Sequence, residues 1–230
     1  MKIKEKIANT YNWLKGVWIK KFIVMHYSGG TIDTDENNGE YFGRERVEVS
    51  ANVFVDDDSA TVSVPLTATA YHCGKDYSGG KAPYWGKCTN YNSIGIEMCG
   101  IANDKILDMR NPTIKNAVNI TKKIMKEYHI SYSNVIRHYD VCGKNCPAPF
   151  VAKTLAWYCF KLNLRNKFKI KTTASGVKIR KEINGEKLGQ LKLGKVVTIV
   201  RVYYENNELW GKTAKGSIIC LKNTNYKKYL

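Results

Sequence analysis

The sequence lacks a long hydrophobic run. Its longest uninterrupted apolar stretch near the N-terminus is residues 22–25, directly after Lys20 and Lys21. A membrane-spanning helix needs about 20 apolar residues, and the apolar core of a secretory signal needs at least about 7. We therefore expect no transmembrane segment and synthesis in the cytoplasm without a signal peptide.

The 230 residues also lack repeats and low-complexity tracts, and 43% of them are hydrophobic. This composition excludes a disordered or collagen-like chain and predicts one or two globular domains. Seven cysteines are an odd number, and a chain of this length does not need disulfides to stabilise its core. We expect mostly reduced thiols, with any pairing among Cys73, Cys88, Cys99 and Cys142 left open.

Acidic residues are scarce near the C-terminus. Residues 161–230 contain 17 Lys and Arg but only 4 Asp and Glu, so they carry +13 of the total charge of +17. Such a field attracts polyanions, which include nucleic acids, anionic lipids and anionic cell-wall polymers. No helix-turn-helix, zinc-finger or aromatic nucleic-acid motif accompanies the lysines, so a nucleic-acid-binding protein or nuclease remains only an alternative.

Strand and helix patterns alternate in residues 1–160, which predicts an α/β domain with a mixed sheet flanked by helices. Residues 1–20 have apolar side chains at helical spacing, and residues 31–48 are a polar segment for which we expect a long loop with one helical turn. The sequence predicts strands at 22–25, 49–55, 60–64, 92–99 and 135–136, and helices at 111–128 and 149–160. Residues 73–91 are predicted to be a loop.

The C-terminal part has a different pattern. Residues 161–167 are rich in Lys and Asn and are predicted to be a linker. Residues 168–230 have short strand patterns separated by Gly and Asn, which predicts a small all-β domain.

Only four histidines are present, and two of them follow apolar strands directly. A lone histidine is more often structural than functional. His26 and His138, however, come with Cys146, and two imidazoles with one thiolate form a zinc ligand set that leaves a fourth position open for water. Zinc in an open site lowers the pKa of its water and polarises a carbonyl group, as amide hydrolysis requires. The set therefore predicts a hydrolytic zinc site.

Amide hydrolysis also needs a group that moves a proton. Alternation along residues 92–99 places Ile94, Ile96 and Met98 on one strand face and Glu97 with Cys99 on the other. Glu97 is the candidate general base, although a carboxylate on the outer face of a strand is common. Lys144 is a candidate for stabilising an oxyanion, although a surface lysine in a Gly-containing loop is ordinary.

These residues occur in four motifs: Phe22-Ile-Val-Met-His26-Tyr, Tyr71-His72-Cys-Gly74, Asn92-Ser-Ile-Gly-Ile-Glu97 and His138-x5-Lys144-x-Cys146-Pro147. Their order resembles the zinc-dependent N-acetylmuramoyl-L-alanine amidases of phage endolysins and bacterial autolysins, which share the fold of peptidoglycan recognition proteins. The resemblance covers about residues 20–155. It implies Zn²⁺ on His26, His138 and Cys146, and cleavage of the amide between N-acetylmuramic acid and L-alanine of the stem peptide.

The resemblance also assigns roles to other residues. It implies that Glu97 and Lys144 are the catalytic pair, and it places His72 in the substrate groove, where a structural role is an equal alternative. Cys142 is expected to be a bystander and His129 a surface residue. The expected partner is bacterial peptidoglycan with its anionic polymers, reached after release from the cell. A non-catalytic peptidoglycan-binding protein of the same fold is the main alternative function.

Residues 168–230 resemble a bacterial SH3-like barrel, through Val177-x-Ile179-Arg180, Gly189-x-Leu191-x-x-Gly194 and Trp210-Gly-Lys. Such modules of lysins bind the cell wall, which agrees with the charge of this region. The resemblance therefore implies two domains, a zinc amidase domain at 1–160 and an SH3-like cell-wall-binding domain at 168–230. A stability cap for the first domain is the alternative role.

Overall fold

The structure is a computed structural model that describes residues 1–101 and 108–230. The chain divides into two compact units. The first ends at Ala152, and the second comprises Lys153–Leu230 with a short segment that ends at Arg110. In the described ranges, no helix combines the length and the hydrophobicity that crossing a membrane requires.

The first unit is a mixed α/β structure, as the sequence predicts. Its strands are β1 (Lys2–Glu5), β2 (Trp13–Leu14), β3 (Phe22–Tyr27), β4 (Val53–Val55), β5 (Ser59–Val62), β6 (Thr69–Ala70), β7 (Ser93–Met98) and β8 (Val135–Arg137). Its helices are α1 (Asp35–Arg44), α2 (Pro112–Glu127), α3 (His138–Cys142) and α4 (Ala148–Ala152).

The central sheet has the strand order β1-β5-β4-β7-β3-β8. Strands β4, β7, β3 and β8 run parallel to one another, whereas β5 is antiparallel to β4. The carboxyl ends of β7, β3 and β8 therefore meet at one edge of the sheet, where active sites of open α/β sheets collect. Strands β2 and β6 form a separate antiparallel pair.

Helix α2 covers one face of the central sheet. The Asn111 side chain accepts a hydrogen bond from the Thr113 N–H (2.9 Å), and Pro112 occupies the first turn, so the predicted helix start is confirmed. The Thr121 hydroxyl lies 3.7 Å from the Met25 sulfur on β3. Because Ile96 of β7 is in register with Met25, the face of Ile96 is the helix-covered face, and Glu97 lies on the opposite one.

Two segment predictions for the first unit are wrong. The N-terminal segment starts with a strand instead of a helix, because residues 2–5 pair in parallel with residues 59–62. The predicted loop at 31–48 contains the ten-residue helix α1, which is capped by the Thr34 hydroxyl accepting from the Asn37 N–H (3.0 Å). The acidic Asp35 and Glu36 in its first turn complement the helix dipole.

Two further elements differ from the prediction in their bounds. The strand predicted at 49–55 is limited to residues 53–55, which form β4. The helix predicted at 149–160 is divided between α4 and a second helix, α5 (Thr154–Asn163). The loop predicted at 73–91 is confirmed, since no helix or strand lies within it.

The second unit contains α5 and an antiparallel sheet. Its strands are β9 (Phe168–Lys171), β10 (Val177–Arg180), β11 (Lys187–Leu191), β12 (Val196–Glu205), β13 (Glu208–Thr213) and β14 (Ile218–Cys220), in the order β11-β10-β14-β13-β12-β9. Strands β12 and β13 form a hairpin whose turn residues, Asn206 and Asn207, have φ of 52° and 58°. Asparagine tolerates this left-handed conformation better than most residues, which explains the Asn-Asn pair.

Helix α5 packs on this sheet and extends into the segment predicted to be a linker. The Asn163 side chain donates to the Val202 carbonyl (2.8 Å) and accepts from the Val202 N–H (3.1 Å). Lys161 and Leu162 are buried in the same helix. Residues 161–163 thus have the contacts of a folded element, and the compact unit begins at Lys153, before the sequence-based boundary.

Candidate active site

Three parallel strands bring the predicted ligands together. His26 is the penultimate residue of β3, and Glu97 lies opposite it on β7. His138 follows β8 directly, as the first residue of α3. The loop after α3 returns to the same edge, where the Tyr139 N–H donates to the Cys146 carbonyl (2.9 Å). The chain therefore places all four residues at the carboxyl edge of the sheet.

His26, His138 and Cys146 form a compact donor set. All three are buried, and their ligand atoms lie within 4.8 Å of one another. The His26 Nδ1 atom is 3.9 Å from the Cys146 Sγ atom. Tetrahedral Zn²⁺ with ligand distances of about 2.1 and 2.3 Å separates two such ligands by roughly 3.6 Å, so the spacing suits this ion.

An unpartnered nitrogen supports the same interpretation. His138 Nδ1 is buried and has no hydrogen-bond partner within the described residues. An unsatisfied buried nitrogen is costly unless another group binds it. The His26 and His138 rings are 4.4 Å apart, so this lone nitrogen belongs to the same cluster. The residues present therefore fit a bound transition metal.

The protonation of the cluster agrees with metal binding. Burial, and then the neighbouring His138, lower the pKa of His26 well below its usual value. Burial also lowers the pKa of His138 to about 3. Both imidazoles are consequently neutral near pH 7 and can offer a lone pair. Burial, and then the carboxylate of Glu97, raise the pKa of the Cys146 thiol to about 12, so metal binding must displace its proton.

Glu97 is positioned beside the donor set. Its Oε1 atom lies 3.9 Å from His26 Nδ1, and the side chain is 22% exposed. Its Oε2 atom is buried and has no hydrogen-bond partner in the part of the chain that the structure describes. Burial raises the pKa of Glu97 to about 7, although the charge of Lys144 opposes this shift. A carboxyl group with a pKa near neutrality can both accept and donate a proton at physiological pH.

Lys144 is exposed on the loop before Cys146. Its positive charge acts on the candidate ligands and on Glu97, because it lowers the pKa of Glu97 and of both histidines. The structure thus brings Lys144 near the predicted ligands.

His72 lies next to His26. Its Nδ1 atom is 3.0 Å from His26 Nε2, and its Nε2 atom is 3.1 Å from the Ser93 hydroxyl oxygen. Protein groups therefore occupy both ring nitrogens of His72.

Sequence reasoning missed the residues that hold His72. The Asn90 side-chain oxygen accepts from the backbone N–H groups of His72 (3.0 Å) and Cys73 (2.9 Å). The polar run that leads into β7, from Thr89 to Asn92, was the signal that could have drawn attention to this support.

The remaining cysteines lie outside the donor set. All seven are free thiols. Cys142 is buried and its thiol lies 3.6 Å from the His138 carbonyl oxygen, to which it donates. It is not part of the group that could hold a metal.

A second group of possible ligands has a structural explanation. Asp35, Asp56 and Asp58 also have oxygens within 4.8 Å of one another. The Asp35 carboxylate, however, accepts from the hydroxyls of Ser59 (3.0 Å) and Thr61 (2.7 Å), and Asp56 accepts from the Asp35 N–H (3.0 Å). These bonds attach the start of α1 to β5.

Known proteins share this architecture. The structure of the catalytic domain of XlyA matches with a TM-score of 0.58 and 25% identity, over 72% of this chain and 100% of that one. The structure of PlyL matches with a TM-score of 0.59 and 26% identity, over 72% of this chain and 98% of that one.

Sequence comparison gives related proteins. The N-acetylmuramoyl-L-alanine amidase BlyA of Bacillus subtilis (strain 168) is 30% identical over 171 residues, which cover 70% of this chain and 44% of BlyA. The amidase CwlL of Bacillus licheniformis is 32% identical over 164 residues, which cover 67% of this chain and 44% of CwlL. The chain thus spans less than half the length of these two relatives. Residues 18–149 match the family model described as N-acetylmuramoyl-L-alanine amidase. Because this match covers more than half of the 230 residues of the chain, the chain belongs to the N-acetylmuramoyl-L-alanine amidase family Amidase_2.

Proposed function

We propose that the chain is a zinc-dependent peptidoglycan hydrolase that cleaves the amide between N-acetylmuramic acid and L-alanine of the stem peptide. The observation that carries this proposal is that a buried donor set lies beside a carboxylate oxygen of Glu97 that has no hydrogen-bond partner among the described residues; the donor set is His26, His138 and Cys146. Family membership and the amidase names of the relatives support the substrate class.

His26, His138 and Cys146 would hold the metal. Zn²⁺ on these three ligands supplies an open fourth position, a water whose pKa is lowered to about 7, and polarisation of the substrate carbonyl. Cys146 is the anionic ligand of the set. The backbone N–H of Tyr27 bonds to its sulfur and lowers the pKa of the thiol, against the larger effect of burial.

Glu97 moves the proton. Its unpartnered Oε2 atom accepts a proton from the attacking water, and the pKa near 7 lets the resulting carboxylic acid return that proton to the leaving nitrogen of L-alanine. Lys144 presents a positive charge towards the oxygen on which negative charge develops. We assign these two residues as the catalytic pair.

The experiment compares the full chain with Glu97→Gln, which has nearly the same shape but no basic carboxylate. Zinc content is measured by elemental analysis, and peptidoglycan digests are examined by mass spectrometry for stem peptides with a free L-alanine amino group. We expect one zinc per chain in both proteins and peptide release that is about 10²- to 10⁴-fold slower in Glu97→Gln, the range for removal of a general base. Wall binding without any release would instead indicate the non-catalytic peptidoglycan-binding alternative.

We also propose that the second unit is an SH3-like module that binds anionic polymers of the bacterial wall. Its antiparallel sheet, the charge of +13 in residues 161–230 and exposed lysines on several strands support this role. The full chain should sediment with walls at low salt and less so as salt rises, because exposed charges are screened beyond about 8 Å at physiological ionic strength. Walls stripped of anionic polymers are the control, and equal binding to both would contradict the proposal.

A further inference from the structure

Hydrogen bonds link His26 to a backbone carbonyl through two intermediate side chains. His26 Nε2 is 3.0 Å from His72 Nδ1, and His72 Nε2 is 3.1 Å from the Ser93 hydroxyl oxygen. The same hydroxyl lies 2.6 Å from the Thr89 carbonyl oxygen. We call this series the His72 relay.

The direction of the relay follows from its last member. A carbonyl oxygen can only accept, so the single hydroxyl proton of Ser93 is used in the bond to Thr89. The Ser93 oxygen must then accept a proton from His72 Nε2. In a neutral imidazole the other nitrogen, His72 Nδ1, is left with a lone pair and accepts from His26 Nε2–H.

This direction fixes the tautomer of His26. With its proton on Nε2, His26 has a lone pair on Nδ1, the atom that lies 3.9 Å from Cys146 Sγ. The opposite tautomer would place a proton on the nitrogen that faces the other candidate ligands. In the metal-free protein, the relay therefore leaves the lone pair on His26 Nδ1 available to bind a metal.

We propose that His72 is a positioning residue that orients His26 and selects its metal-binding tautomer. The proposal rests on the proposed zinc amidase function, because it assigns His72 a role in that same site. It differs from a role in the substrate groove, since both ring nitrogens of His72 are engaged with protein groups.

The surrounding residues hold the relay in place. The Asn90 side-chain oxygen accepts from the backbone N–H of His72, which anchors the main chain at this point. Gly95 of β7 lies against the imidazole, and a Cβ atom at this position would meet ring atoms of His72 at 2.8–3.0 Å. The ring thus occupies space that only a glycine leaves open.

The test uses two variants of equal shape, His72→Asn and His72→Leu. The asparagine Oδ1 occupies the place of the imidazole Nδ1 and still accepts from His26, whereas the leucine methyl group cannot. Zinc affinity is measured for the full chain by competition with a chromogenic chelator. We expect His72→Leu to bind zinc about 10- to 100-fold more weakly, the range for losing a partner of a metal-bound histidine, and His72→Asn to recover most of this loss.

A second measurement does not depend on the metal. Long-range ¹H–¹⁵N spectra of the metal-free chain report which ring nitrogen of His26 carries the proton. The proton should reside on Nε2 in the unaltered chain and in His72→Asn, and this preference should decrease in His72→Leu. Ser93→Ala, which removes the acceptor for His72 Nε2–H, should weaken the same preference, and it serves as the test if His72→Leu does not fold.

The outcomes separate the two proposals. Equal zinc affinity of the Asn and Leu variants, or a His26 proton on Nδ1 in the metal-free chain, would overturn the role of His72. If the unaltered chain bound no zinc, the proposed function would fail, while the tautomer spectra would still decide whether the relay exists.

Discussion

Adding one methyl group at Gly95 should destabilise the fold and weaken metal binding together. In Gly95→Ala the new Cβ would lie 2.8 Å from His72 Cγ and 3.0 Å from both Cδ2 and Nδ1. Ordinary van der Waals contacts begin near 3.4 Å. The ring cannot rotate away freely because both its nitrogens are hydrogen-bonded. The strand cannot shift easily either, since β7 is paired with β3 and β4.

The expected size follows from two opposing effects. Overpacking a well-filled site costs about 1–3 kcal/mol. Replacing a strand glycine by alanine contributes about 0.5–1 kcal/mol of stability, because the unfolded chain loses conformational freedom. Gly189→Ala is the matched control, since Gly189 is also a strand residue and a Cβ there would meet nothing within 4 Å. The control should be neutral or slightly stabilised.

Urea unfolding monitored by far-UV circular dichroism gives the stability difference. We expect Gly95→Ala to be about 1–3 kcal/mol less stable than Gly189→Ala. Its zinc affinity should also fall, because a displaced His72 lengthens the 3.0 Å bond to His26. If Gly95→Ala were as stable as the control and bound zinc equally well, the packing argument would be refuted.

The remaining predictions concern single side chains. Cys146→Ser should lose both zinc and activity, since a neutral hydroxyl is a far weaker ligand than a thiolate, and elemental analysis showing full zinc occupancy would contradict the ligand set. Lys144→Ala should retain zinc and reduce turnover about 10²- to 10³-fold, as for removal of an oxyanion donor, and an unchanged rate of peptide release would exclude this role. Burial lowers the pKa of Lys20 from its ordinary 10.5 to about 8, and its ammonium donates to the carbonyls of Ala68 (2.6 Å) and Tyr91 (3.1 Å). Between pH 8 and 10.5, Lys20 binds more protons in the unfolded chain than in the folded one. The free energy of unfolding of the unaltered chain, relative to that of Lys20→Met, should therefore rise with pH in this range, by at most about 1.4 kcal/mol per pH unit. A difference that stays constant from pH 8 to 10 would contradict this shift.

Some features were readable in the sequence because local patterns determine them. The apolar run at residues 22–25 specified β3, and the alternation along 92–99 specified β7 with Glu97 opposite the buried face. The Asn-Pro-Thr sequence at 111–113 specified the start of α2, because its capping bond lies within the same few residues. Motif order was enough to select His26, His138 and Cys146 as a group.

Other features depended on partners distant in sequence. Residues 2–5 form a strand because they pair with residues 59–62 at the edge of the sheet. The spacing of the side chains in residues 2–5 does not indicate this distant partner. Thr34 caps helix α1, but residues 31–48 are so polar that they lack the apolar periodicity by which a helix is predicted from sequence. Helix α5 extends beyond the predicted boundary because Asn163 bonds to the backbone of β12, 39 residues away.

The sequence by itself therefore determined the family, the candidate ligands and the candidate general base, because these follow from residue type and motif order. The tertiary structure alone decided how they are oriented. Only the folded chain brings His72 between His26 and Ser93 and leaves a space for its ring at Gly95. It also buries an oxygen of Glu97 that has no hydrogen-bond partner among residues 1–101 and 108–230. Orientation and burial arise from contacts between separate strands and loops, and no local pattern of residues specifies them.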